Sequence, residues 1–416
     1  MKFFFPDSQD LVDPSFNFET EERSELRLRH RDDHYAHEEF ASTPFDGILL
    51  SMAAIETGGK YTLPQKHRLY RMGIRRFFRL EDKKIETMGD CGAFSYVRED
   101  KPPYSVAQVI NFYDELGLDY GISVDHVILG FDPRLDEKSA PQDWKQRQEI
   151  TLELAGDFLN EHKKRGSRFT PLGVAQGWSP ASYAYAVEQL QNLGFSYIAM
   201  GGMVPLKTHE ILACLERVNQ SRHPDTRLHL LGVTRCEQVR EFARFGVASF
   251  DSTSPLRQAF KDLKDNYWTL DRTYSAIRVP QVQANPSLLR KIVAGKVDQS
   301  EARRLERECL KVLLLFDAGK ISVDDALGPL LEYESLYDDG PSRSEAYRET
   351  LIDAPWRSCD CDICKRIGIH VILFRGAERN RRRGFHNVFV FYQRLHRELG
   401  EEGEVECLAL SPGGVK

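Results

Sequence analysis

Residues 171–201, PLGVAQGWSPASYAYAVEQLQNLGFSYIAMG, hold one full period of the pattern that decides the fold. Residues 171–176 have strand composition, residues 180–193 repeat their apolar positions with helical spacing, and residues 197–201 return to strand. Strand, crossover helix and strand in so short a span make one βαβ unit. The unit recurs in both directions. Upstream lie strand-like 45–51 (FDGILLS), helical 106–116, strand-like 120–129 (YGISVDHVIL) and a long polar-faced helix over 144–164. Downstream come a helix over 206–218, a strand over 228–233 (LHLLGV), a helix over 236–245 and a strand over 247–251. Such repetition predicts a parallel sheet with right-handed crossovers, and the count suits a closed (β/α)8 barrel better than an open sheet.

After Arg257 the rhythm stops. Residues 286–316 and 322–337 read as helices of an insertion packed against the barrel, and Asp338-Asp339-Gly340-Pro341-Ser342 reads as a turn. Then Cys359-Asp360-Cys361-Asp362-Ile363-Cys364 crowds three of the chain's eight cysteines into six residues. Thiolates with a neutral imidazole suit Zn2+, and four protein ligands mark a structural site with no open position for metal-assisted hydrolysis. His386 and the nearer His370 are both candidates for the fourth ligand. The first forty residues are polar and crowded with charge, including Arg27, Arg29, His30, Arg31, Asp32 and Asp33. They predict an extended arm outside the core. The expected organisation is α/β: an arm over 1–40, a (β/α)8 TIM barrel over 41–285, a helical insertion over 286–345, and a zinc-binding subdomain over 346–416. A terminal helix is expected from about residue 387 to 399, followed by a loose tail.

Composition limits the function classes. With 416 residues, 41% hydrophobic and 29% charged, the chain is an ordinary globular protein, and its net charge of −6 excludes a uniformly basic nucleic-acid binder. Any polymer contact must come from a local patch. Arg375, Arg379, Arg381, Arg382 and Arg383, beside the cysteine cluster, are expected to contact phosphate. Lys66, Arg68, Arg71, Arg75, Arg76 and Arg79 form a second candidate patch that also reads as a charged helix face. Cys91, Cys214, Cys236, Cys309 and Cys407 are scattered without disulfide spacing, which fits a reducing compartment. The apolar Met1-Lys2-Phe3-Phe4-Phe5 meets Pro6-Asp7 too soon for a signal peptide, and no run reaches membrane-span length. A soluble cytoplasmic protein is expected.

Reacting groups of a barrel sit where strands end. Asp90 in MGDCGAFS, Asp125 after GISV, Gln176-Gly177 and Asp251 in SFDS all fall at such places, and Gly201-Gly202-Met203 adds a glycine pair. Three carboxylates and an amide would converge on one mouth, with Phe94 able to stack on a planar ligand. Purine recognition by paired donors and acceptors, with a carboxylate attacking a sugar carbon, would use this set.

The ordered set GDCGAF, SVDH, VAQG, AMGGM, LLGV, FDSTSPLR and CDCDIC…FHN resembles the tRNA-guanine transglycosylase family, over about residues 40–260 and 355–400. The family's barrel carries a CxCxxC…H zinc site and exchanges a guanine in nucleic acid for a 7-deazaguanine base. The resemblance implies that Asp251 is the nucleophile at C1′ and Asp90 the general acid/base. It implies that Asp125, Gln176, Gly177 and the backbone of Gly201, Gly202 and Met203 read the base, that Phe94 and Leu231 clamp it, and that His386 completes Cys359, Cys361 and Cys364. The family's usual DSGGFQ stands here as Asp90-Cys91-Gly92-Ala93-Phe94-Ser95, and Asp125 precedes His126 and Val127 where bacterial tRNA enzymes carry glutamate and cysteine. With the insertion and the charged N-terminus, these departures look most like the DNA-modifying branch. That branch implies insertion of 7-cyano-7-deazaguanine (preQ0) into DNA, with accessory proteins and a homodimer as further possible partners. A tRNA enzyme and a non-catalytic nucleic-acid-binding paralogue are the alternatives.

Overall fold

Eight parallel strands close into a barrel in the computed structural model, which describes residues 1–7 and 9–400. They are β1 (Lys2–Pro6), β2 (Gly47–Ser51), β3 (Glu86–Asp90), β4 (Tyr120–Ile122), β5 (Thr170–Ala175), β6 (Tyr197–Met200), β7 (Arg227–Leu230) and β8 (Val247–Asp251). Each pairs with its predecessor, and β8 returns to β1. The helix Pro180–Leu193 and strand β8 have the expected bounds, and the long polar-faced helix runs from Gln142 to Arg165.

The first strand corrects the expected N-terminal arm. Phe3, Phe4 and Phe5 are buried, and Phe4 lies in register with Gly47 of β2 and Asp251 of β8. Five residues suffice for a strand covered on both faces, which reads as continuous apolar sequence. Phe4 joins Leu49, Met88, Ile122, Leu172 and Val174 inside the barrel. Phe3 faces outward onto Phe250 and Phe391. The rest of the expected arm is the long loop from β1 to β2, folded over the barrel. The expected strand over 120–129 is also shorter. The chain leaves the ladder after Ile122, where the Ser123 hydroxyl accepts the Val174 N–H at 3.1 Å.

Residues 286–316 form two helices, Pro286–Val293 and Gln299–Asp317, parted at Gly295, whose φ of 68° ends the first, and by the Asp298 cap that starts the second. With Val323–Tyr337 and Ser344–Asp353 they pack mainly on one another and on the segment around Gly368–Val371. The insertion thus leans mainly on itself and on the C-terminal segment. The terminal helix begins eleven residues earlier than expected, spanning Gly376–Leu399. Cys407 and the expected tail lie outside the described residues. Among the described residues no helix is long and apolar enough to cross a membrane.

Closure through β1 makes a direct forecast. Phe4→Ala should cost about 3–5 kcal/mol in urea unfolding, the loss typical of a buried phenylalanine, although the site lies outside any predicted core.

Candidate functional site

Six strand ends build one cavity of about 170 Å³. Its lining brings together Asp90, Phe94, Asp125, Gln176, Gly201, Gly202, Leu231 and Asp251. Gly177 and Met203 do not line it: Met203 is fully buried, and Gly177 packs on the Tyr183 ring. Leu49, Ala93, Val127 and Gly232 complete the walls. Ala93 and Gly232 lie inside the GDCGAF and LLGV motifs and Val127 marks a departure from the family pattern, but none of the four was expected to line the site.

The wall around Gln176 depends on the glycine pair. A Cβ on Gly201 would lie 2.2 Å from Gln176 Nε2, and Gly202 has a φ of 71° with the Ile128 carbonyl 2.6 Å from its Cβ position. Only glycines admit the amide here. Gln176 Nε2 then donates to Asp125 Oδ2 at 2.6 Å, while its Oε1 accepts the Ile128 N–H at 3.1 Å. The Cys91 thiol, 3.4 Å from Asp125 Oδ1, holds the second carboxylate oxygen. Asp251 is 8% exposed, and its Oδ1 accepts the Gly232 N–H at 2.9 Å. Phe94 is half exposed and makes no ring contact among the described residues, so its face is open to a ligand.

Three carboxylates in one largely buried pocket cannot all ionise freely. Burial, then the charge of Asp125, push Asp90 up to about 7, against the pull of the Gly92 and Cys91 backbone N–H groups. Burial pushes Asp125 up to about 6, with the bonds from Gln176 and Cys91 opposing. Burial also keeps the Cys91 thiol protonated, so it can donate. The arrangement offers a proton on one carboxyl near neutral pH, with two further acidic groups in the same cavity.

Away from the mouth, ligand atoms of Cys359, Cys361, Cys364 and His386 lie within 4.8 Å of one another. The sulfurs stand 3.4–3.6 Å from His386 Nδ1. Tetrahedral bonds of ordinary metal–sulfur and metal–nitrogen length place S and N about 3.5 Å apart. His386 Nε2 donates to the Trp268 carbonyl at 2.8 Å, which leaves Nδ1 free for a metal. The donor set fits a metal ion. His370 stacks on Phe18 instead and stays outside the cluster.

The arginine run corrects the expected phosphate contact. Arg375, Arg379, Arg382 and Arg383 are 0–5% exposed. Arg375 pairs with Glu21 and Glu306, Arg379 with Glu21, and Arg382 with Glu378 and the Asp13 carbonyl. Arg383 donates to the carbonyls of Ala259, Val371 and Leu373. Arg381, a quarter exposed, bonds Asp10 and the Leu11 carbonyl. None is placed to meet a polymer. In the second patch Lys66, Arg68, Arg75 and Arg79 also bind internal partners, leaving Arg71 and Arg76 exposed.

The family described as queuine tRNA-ribosyltransferase (TGT) matches residues 63–264. A DNA-guanine transglycosylase of Salmonella montevideo is 50% identical over 415 residues, covering 97% of this chain and 99% of that protein. The chain belongs to the tRNA-guanine transglycosylase family. A queuine tRNA-ribosyltransferase of Psychrobacter cryohalolentis is 27% identical over 45% of this chain and 52% of its own length. A tRNA-guanine(15) transglycosylase of Pyrococcus abyssi is 27% identical over 44% of this chain and 30% of its own length.

Departures from the family pattern acquire physical meaning here. Cys91 keeps a donor on Asp125, held also by the Tyr96 hydroxyl at 3.0 Å. His126 turns away from the cavity toward Arg147, 3.0 Å from its Nε2, so the apolar Val127 lines the mouth in its place.

Two measurements probe the site's physics. Folded Asp90 titrates at about 7 instead of 3.8, so the fold binds this proton tightly and stability falls as pH rises from about 4 to 7. Asp90→Asn should therefore be more stable than the parent at pH 8 and match it near pH 4. A gain of about 1–2 kcal/mol is expected, below the roughly 4 kcal/mol that the full shift implies, because the carboxyl faces the open cavity. Chelation should remove a single metal ion per chain and lower the thermal midpoint, and Cys364→Ser should lose the ion without chelator.

Proposed function

We propose that this chain is a DNA-guanine transglycosylase that exchanges guanine for 7-cyano-7-deazaguanine through a covalent glycosyl ester on Asp251. The observation that carries the chemistry is the shared cavity. Asp251 presents a carboxylate oxygen without a protein partner among the described residues, beside a carboxyl, Asp90, that keeps its proton near neutrality. Oδ2 of Asp251 bonds to C1′ as the C1′–N9 bond breaks, and Asp90 gives its proton to the departing guanine. Asp90, now a carboxylate, takes the N9 proton of the incoming base. N9 then attacks C1′ and Asp251 leaves as carboxylate. Two displacements return the original configuration at the sugar.

Asp125, Gln176 and the Gly201–Gly202 backbone read the purine edge, while Phe94 and Leu231 cover its faces. DNA as the polymer is supported by the full-length likeness to the Salmonella protein, which extends through the insertion and the N-terminal loop; the tRNA enzymes align over less than half of the chain. Phosphate contact falls to exposed cations near the mouth, Arg98, Lys101 and Lys207 on the loops and Arg257 on the helix Ser254–Lys261, which form no ion pair among the described residues. A base enters this cavity only unstacked, so the duplex must be opened or the guanine flipped, by this protein or by accessory proteins. Cys359, Cys361, Cys364 and His386 would hold zinc by three thiolates and one imidazole, a donor set that suits a structural role. Cytoplasmic residence is supported by free thiols at Cys91, Cys214, Cys236 and Cys309.

Labelled guanine incubated with duplex DNA, single-stranded DNA and tRNA tests this reading. Label should enter DNA, and a protein-bound sugar should be trapped with the parent chain but not with Asp251→Asn. Label entering tRNA alone refutes the choice of polymer. An adduct that survives Asp251→Asn refutes the nucleophile.

A further inference from the structure

The nucleophile has a buried neighbour that neither the family motifs nor the chemistry above uses. His229, on β7, is fully buried and aims Nε2 at Asp251 Oδ1, 3.3 Å away. Its Nδ1 lies 2.6 Å from Ser249 Oγ, and Ser249 Oγ lies 2.5 Å from the Tyr197 hydroxyl. Ser249 and Asp251 are two apart on β8, so both side chains face the barrel interior. Tyr197, Ser249, His229 and Asp251 thus form one hydrogen-bonded line running from the barrel centre to its mouth.

One arrangement of protons satisfies every member with a neutral ring. Tyr197 donates to Ser249 Oγ, the Ser249 hydroxyl donates to Nδ1, and Nε2–H donates to Asp251 Oδ1. The far end of the line therefore decides which ring nitrogen carries the hydrogen at the near end. Oδ1 then receives two donors, Nε2–H and the Gly232 N–H, whereas Oδ2 receives none among the described residues. The 3.3 Å separation is long for a hydrogen bond, as expected of a contact that tightens when the site is loaded.

We propose that His229 is a positioning residue that fixes which oxygen of Asp251 attacks and supports that carboxylate as it leaves. The inference rests on the nucleophilic role of Asp251. In the glycosyl ester Oδ1 is a carbonyl oxygen with little charge. When the incoming base attacks C1′ and the C1′–Oδ2 bond breaks, the electron pair returns to the carboxylate and negative charge grows on Oδ1. A donor aimed there in advance favours this second displacement over the ester ground state. In the first displacement the same bond stabilises the starting anion, which opposes attack, and offsets that cost by orienting Oδ2. His229 thus acts unequally on the two steps, which a purely structural residue would not do.

The test resolves the two half-reactions in the full-length protein with guanine-containing DNA oligonucleotides and labelled guanine. His229→Leu should slow breakdown of the trapped adduct by about 10- to 100-fold, the range of a lost hydrogen bond to a charged group. Adduct formation and the KM for guanine should change less than threefold, so adduct accumulates during turnover. His229→Gln, whose amide N–H can reach the Nε2 position, should recover most of the breakdown rate. Ser249→Ala leaves the ring in place but frees its tautomer, and should slow breakdown severalfold. Normal breakdown in a folded His229→Leu, or in Ser249→Ala should the leucine variant fail to fold, overturns the inference. Equal slowing of both half-reactions also overturns it. Asp251→Asn assayed in parallel separates the two claims: an adduct in that variant removes the nucleophile assignment, whereas its absence with normal His229 variants removes only His229.

Discussion

β1 and β8 meet in register with Phe4 beside Asp251 and Phe3 beside Phe250. Fold and chemistry constrain each other at this seam. The Phe4 ring fills the barrel interior only because Gly47 opposite has no side chain; a Cβ there would fall 2.3 Å from the ring. The ring then meets His229 edge-on at 6.0 Å and Tyr120 at the same distance. A dry aromatic layer therefore underlies the cavity, and dryness raises the cost of ionising Asp90 and Asp125. Without closure by this strand, water would reach the floor and the carboxylates would return toward ordinary behaviour.

Two misreadings of the sequence share one physical cause. The charged stretch near Asp13 and Glu21 was expected to lie outside the core, and the arginines from 375 to 383 were expected to face a polymer. Each is the other's partner. Burial would raise Glu21, but hydrogen bonds from Arg375 and Gln281, with the charges of Arg375 and Arg379, hold it at about 2. Asp13 forms an ion pair with Arg27 at 3.2 Å, and Glu378 joins Arg23 and Arg382. Buried charge is tolerable when its partners are fixed on both sides. A signal for this was present. Arg379, Arg382 and Arg383 precede the buried ligand His386 by seven, four and three residues, which puts all four on one helical face. The terminal helix was expected to start only after His386, so that face went unseen.

The site was legible where it obeys the architecture of a barrel. Asp90, Asp125, Gln176 and Asp251 stand at strand ends, and any (β/α)8 chain brings strand ends to one mouth. What stayed hidden depends on side-chain direction within a strand. LHLLGV reads as an apolar run, and one histidine in such a run is usually a satisfied core residue. Only the pairing of His229 with Ser249 across β7 and β8, with its irregular step after Leu228, aims the ring at Asp251. Cys91 shows the complementary limit. Its change from serine is visible in sequence, but that it still serves Asp125 follows from a 3.4 Å distance.

The metal cluster, remote from the cavity, is nevertheless tied to it through one helix. His386 and Asn387 are adjacent on Gly376–Leu399, so the ligand set that fixes the first also fixes the second. Asn387 accepts the Trp268 N–H and donates to the carbonyls of Pro255 and Asn266. One turn earlier, Gly384 lets the helix approach Leu256 so closely that a Cβ would sit 2.5 Å from its side chain. Arg383 meanwhile binds the Ala259 carbonyl. Pro255, Leu256 and Ala259 all belong to Ser254–Lys261, the helix that begins three residues after Asp251. A metal bound by this cluster would hold the C-terminal helix and, through these contacts, the chain that leaves Asp251. Such a metal would not need to touch the cavity to bear on it, because it would restrain the backbone that leads on from Asp251 at the end of β8.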